Sequence, residues 1–85
     1  MSTDARDALH AALGPHLAAQ LTGPQAADAY HAFRLIADAE SPAIARAWLI
    51  GMNPDLADAS PLTTVLAGRT ADVMAAARAY IQETP

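Results

Sequence analysis

Serine stands directly before proline twice in this chain, at Ser41-Pro42 and at Ser60-Pro61. Each pair opens a short apolar run that stops at a glycine, Gly51 or Gly68. A serine N-cap offers its side-chain oxygen to an orphan N–H of the first helical turn, and proline suits the first helical position, where no N–H donor is needed. Glycine then closes a helix because it tolerates the backbone conformations a C-terminus requires. Thr22-Gly23-Pro24 repeats the punctuation: it predicts a left-handed C-cap at Gly23 and a new helix opening at Pro24. A chain cut this way folds as short helices joined by very short loops.

The stretches between these marks have helical periodicity. Leu9 and Leu13 stand four apart, as do Leu17 and Leu21 across the Gly14-Pro15 break, so each pair shares a helix face. Thr3-Asp4 reads as the cap of the first of these pieces. From Pro24 to Ala39 the apolar stripe is Tyr30, Phe33, Ile36 and Ala37, extended by Ala26 and Ala29, which follows the 3.6-residue period. Asp28, His31, Asp38 and Glu40 fall mostly on the other face. Ile44, Trp48 and Leu49 mark the helix after Ser41-Pro42, and Leu62, Val65 and Leu66 mark the one after Ser60-Pro61. Thr70 is read as the cap of the last helix, whose Asp72 suits the positive N-terminal dipole. Its stripe is Val73, Ala77, Tyr80 and Ile81. Asn53-Pro54-Asp55 reads as a turn, since Asn bonds its own backbone and Pro fixes the next φ. Leu56, alone in that polar loop, is expected to pin it to the core.

Apolar residues make up 53% of the chain but aromatics only 5%, because alanine supplies most of the apolar count. Alanine is the best helix former, and β-branched residues are sparse. The expected fold is all-α, a compact bundle of five or six short helices. Residues 1–85 form a single domain with no linker or internal repeat. A domain this small buries only about 60% of its unfolded surface. The core is therefore expected to hang on a few large side chains: Leu13, Leu17, Leu21, Tyr30, Phe33, Ile36, Ile44, Trp48, Leu49, Leu56, Leu62, Leu66, Val73, Ala77 and Tyr80. Self-association through an exposed apolar face, as a homodimer, is a further expectation.

Several function classes find no support in the residues. There is no cysteine, which removes disulfides and thiolate metal sites and fits a reducing compartment. The polar N-terminus does not read as a signal peptide, and no apolar run is long enough to span a membrane. The expected location is cytoplasmic. His10 and His16 lack the i, i+4 spacing of a helical metal pair, and capping accounts for Ser41 and Ser60. No catalytic set, metal site or cofactor site emerges, and Asp55 and Asp58 read as a solvated loop face. The net charge is −4, and the basic residues are five dispersed arginines, Arg6, Arg34, Arg46, Arg69 and Arg78. DNA affinity comes from clustered basic residues, so DNA binding by this chain alone is not expected. Arg46 and Arg69 are read as pairing with nearby aspartates or as contacting a partner.

Trp48, Gly51, Asn53, Pro54, Leu56, Pro61, Leu66, Gly68 and Arg69 lie in the central stretch in that order. With the final helix through Tyr80 and Ile81, this pattern resembles the toxin-binding domain of the Xre/MbcA/ParS antitoxins over roughly residues 30–81. The resemblance implies a small helical antitoxin that covers the active-site entrance of a RES-domain toxin, an enzyme that degrades NAD. It also implies a blocking surface near residues 69–85. The motif does not specify individual contacts; Arg78 and Tyr80 are taken as candidates there, beside Arg46, Arg69 and Ile81. Such antitoxins usually carry an operator-reading helix-turn-helix in front of this region. Residues 1–23 resemble a truncated version of that unit, and residues 24–85 the toxin-binding helices. Pro24 leads straight into the long helix, with no separate recognition helix. The competing reading is a small transcriptional or phage-type regulator that uses the same domain for dimerisation or protein interaction. A basic patch of Arg6, Arg34 and Arg46 would favour it.

Overall fold

A computed structural model describes residues 9–11, 13–21 and 23–83, without the side chain of Leu17. The proposed cap at Thr3-Asp4, Arg6 and the C-terminal pair 84–85 lie outside the described residues. Residues 9–11 and 13 are helical. Helices α1 (Pro15–Ala18), α2 (Gly23–Ala39), α3 (Pro42–Ile50), α4 (Pro61–Leu66) and α5 (Thr70–Glu83) follow, with a 3₁₀ turn, Pro54–Leu56, between α3 and α4. Among the described residues there is no strand, and the fold is an all-α bundle.

The serine-proline starts form as their chemistry dictates. Ser41 Oγ accepts from the Ile44 N–H at 3.1 Å, and Ser60 Oγ accepts from the Thr63 N–H at 3.0 Å. Each cap has extended backbone and is followed by proline at the first helical position. Gly68 ends α4 with φ +82°, a left-handed conformation that a side chain resists.

Three helix ends differ from the sequence reading. Gly23 is not a left-handed cap; it is the first residue of α2. Thr70 does not cap α5. The Arg69 carbonyl accepts from the N–H groups of Asp72 and Val73 instead, and the Thr70 hydroxyl donates to Asp28 Oδ2 at 2.9 Å. A charged acceptor on a neighbouring helix is a strong partner for the hydroxyl proton. Asp28 is accordingly half-buried rather than fully on the outer face. The helix read from Pro15 to about Leu21 is shorter, ending at Ala18.

Helix α2 is central and packs against α3, α4 and α5. Ala26, Ala29 and Ala32 lie buried along it with Phe33 and Ile36, so its neighbours can approach its backbone closely. Leu9, Leu13, Leu21, Leu49, Leu56, Leu62, Val65, Val73 and Ala77 join the same cluster. Tyr30, Trp48, Leu66, Tyr80 and Ile81 are partly buried against it. Ile44 is not core: it is 41% exposed. The buried line of α3 runs through Ala45 and Leu49, which turns Ile44 to the edge and leaves Trp48 half-buried. The Cα radius of gyration is 11.7 Å, near the value of about 12 Å for a compact chain of this length.

Candidate functional site

The segment between α3 and α4 is built around one residue, Asn53. It is buried, and its side-chain Oδ1 accepts from the Asp55 N–H at 2.9 Å. Its carbonyl accepts from the N–H groups of Leu56 and Asp58, both at 2.9 Å, and its own N–H donates to the Ala59 carbonyl at 3.2 Å. Pro54 then opens a 3₁₀ turn where the sequence suggested a simple turn. Leu56 is buried, as expected of a loop pin. Ala57 and Asp58 both take positive φ, 56° and 67°. Two successive non-glycine residues in this region carry backbone strain, held in place by the bonds to Asn53.

This braced loop forms one bank of a trough whose other bank is α5. One hollow, of about 280 Å³, is lined by Trp48, Met52, Asn53, Pro54, Asp55, Ala76, Tyr80 and Glu83. A second, of about 490 Å³, is lined by Asp55, Leu56, Ala57, Arg69, Asp72, Ala75, Ala76, Ala79 and Glu83. Asp55, Ala76 and Glu83 border both, so the two hollows run together along α5. The trough is open to solvent and lined in part by alanine. A small ligand is usually mostly enclosed by its pocket, so this shape suits a protein segment better.

The chemistry of the trough is mixed. Trp48 and Tyr80 face each other with ring centroids 6.4 Å apart at 53°. Met52 beside them is 79% exposed, the most exposed large apolar side chain among the described residues. Arg69 pairs with Asp72 through Nη2 at 2.9 Å and Nε at 2.9 Å, the local pairing read from the sequence. Arg46 is exposed and makes no ion pair among the described residues, because no aspartate on α3 lies one turn away. Arg34 is neutralised by Asp38 at 3.0 Å.

The trough brings together Trp48, Asn53, Pro54, Leu56, Arg69 and Tyr80 from the residues singled out by sequence. Arg46, Arg78 and Ile81 do not line it: Arg46 and Arg78 are exposed elsewhere, and Ile81 packs against the core. Gly51 ends α3, where a Cβ would meet the Ala47 carbonyl at 3.0 Å. Pro61 is buried at the start of α4, Leu66 is half-buried at its end, and Gly68 turns the chain into α5. Sequence reading missed Met52, Glu83 and the alanines Ala75, Ala76 and Ala79. The one available signal was Met52, an unbranched apolar residue inside a polar loop.

Among the described residues no group of three histidine, aspartate or glutamate side chains could hold a metal ion, and no helix is long and apolar enough to cross a membrane. No protein-family model matches the chain, and no curated protein or solved structure matches it either.

Proposed function

We propose that this chain is an antitoxin-like binding module that neutralises a RES-type, NAD-degrading toxin by covering its active-site entrance. The observation that carries the reading is the meeting of Trp48, Asn53 and Pro54 with Tyr80 of the last helix in one exposed trough. These residues come from the stretch that resembles the toxin-binding domain and from the C-terminal helix that the resemblance assigns to blocking. Aromatic residues and methionine are the types enriched at the cores of protein interfaces. Neutralisation would work by occupancy, so the reading asks no catalytic step, metal or cofactor of this chain. A toxin covered in this way would lose access to NAD for as long as the complex lasts.

The test is to isolate the protein that tagged chain retains from its native cell extract and to follow NAD in the presence of that protein. The reading expects a stoichiometric RES-like partner whose NAD consumption stops as this chain is added. A partner that consumes no NAD, or whose consumption continues at saturation, refutes it.

A further inference from the structure

Resting on the interaction reading above, we infer that the trough takes a basic amphipathic helix, one that sets large apolar side chains against Trp48, Met52 and Tyr80 and places Arg or Lys beside Asp55 and Glu83. Asp55 and Glu83 line both hollows, and among the described residues neither is in an ion pair. Arg69, the one cation among the described residues that line the trough, is already held by Asp72. The exposed trough therefore carries uncompensated negative charge next to an apolar patch. An incoming cation is favoured there and an incoming anion is repelled.

The dimensions agree. Helix α5 spans Thr70–Glu83, which at 1.5 Å per residue gives a bank of roughly 20 Å, enough for about four turns of a partner helix. Ala75, Ala76 and Ala79 border that bank. Small side chains let two helix backbones come close, so an approaching helix can lie along that bank rather than stand on protruding side chains. The opposite bank is the loop braced by Asn53, so little conformational entropy is lost there when a partner docks. An apolar anchor beside Met52 and Trp48 would supply most of the affinity, while the carboxylates would set the charge of the partner.

The test needs no toxin, so its outcome is independent of the NAD experiment. A displayed library of helical peptides is selected against the full chain, and the bound face is mapped by amide chemical shifts and by the emission of Trp48, the sole tryptophan. The expected winners are net-positive peptides with large apolar residues one turn apart. Their shifts should centre on Trp48, Met52, Asp55 and Tyr80. Binding should weaken about fivefold in the Asp55→Asn/Glu83→Gln variant. With the unaltered chain, it should weaken by a similar factor on going to about 0.5 M salt. Enrichment of acidic or uncharged peptides, a footprint on another face, unchanged binding in the variant and in salt, or no enrichment at all would each overturn the inference. So would a concentration-dependent dimer with Met52 in its interface, because the occupant would then be a second copy of this chain.

Discussion

The rings of Trp48 and Tyr80 lie 6.4 Å apart, centroid to centroid, although they belong to the third and last helices. Both are only partly buried, so the pair joins the core on one side and the trough on the other. That double position separates stability from binding. Trp48→Ala should cost about 2 kcal/mol, less than the 3–5 kcal/mol of a fully enclosed tryptophan. Leu49→Ala, at 0% exposure on the same helix, should cost about 3 kcal/mol. Urea titrations of the two variants give the comparison directly. A larger loss for Trp48→Ala would make it a core residue.

The strained loop gives a prediction of unusual sign. Ala57 holds φ 56° and ψ 39°, a left-handed conformation that costs a residue with a Cβ roughly 1 kcal/mol. Ala57→Gly should therefore stabilise the fold by about 0.5 kcal/mol, after the greater chain entropy of unfolded glycine is subtracted. Gly68→Ala, at φ +82°, should destabilise by about 1 kcal/mol. Thermal melts of the two variants should shift in opposite directions.

The hydroxyl of Thr70 and the carboxylate of Asp28 tie the start of the last helix to the central one. Thr70→Val and Asp28→Ala should each destabilise, and together by less than the sum, with a coupling of about 1 kcal/mol. A coupling near zero would mean the bond does not persist in solution.

The cap readings provide a fourth check. Ser41→Ala and Ser60→Ala should each cost about 1 kcal/mol. Ser60 Oγ also donates to Thr63 Oγ1 at 2.9 Å, a bond that alanine removes as well. Ser60→Ala should therefore be the costlier of the two. Denaturant midpoints measured side by side decide it.

Where the sequence spoke locally, it spoke clearly. Ser41-Pro42, Ser60-Pro61 and Asn53-Pro54 carry their hydrogen-bonding partners within three residues, so the cap and turn chemistry could be read without knowing the fold. Ile44 and Thr70 were misread because a distant neighbour decides each. The line of α3 that faces the core is set by Ala45 and Leu49 packing on α2, and alanine gives too little hydropathy contrast to announce it. Ala32 and Ala76 went unnoticed for the same reason. Thr70 turns away from its own helix because Asp28, far off in sequence, accepts its hydrogen bond. The trough was only half legible. Trp48 and Tyr80 stood out as rare aromatic residues, whereas Asp55, Ala79 and Glu83 acquire meaning only when the loop folds against α5.

The most direct test of the trough as the binding face is a paired pull-down from native extract, with the unaltered chain and with Met52→Arg. Met52 is 79% exposed, so the substitution should leave stability within about 0.5 kcal/mol. The account predicts that the unaltered chain retains a stoichiometric partner and suppresses its NAD loss, and that Met52→Arg, folded but bulky and positive at the trough, does neither. A partner held and silenced equally by Met52→Arg, or recovery of nothing beyond the chain itself, would contradict it.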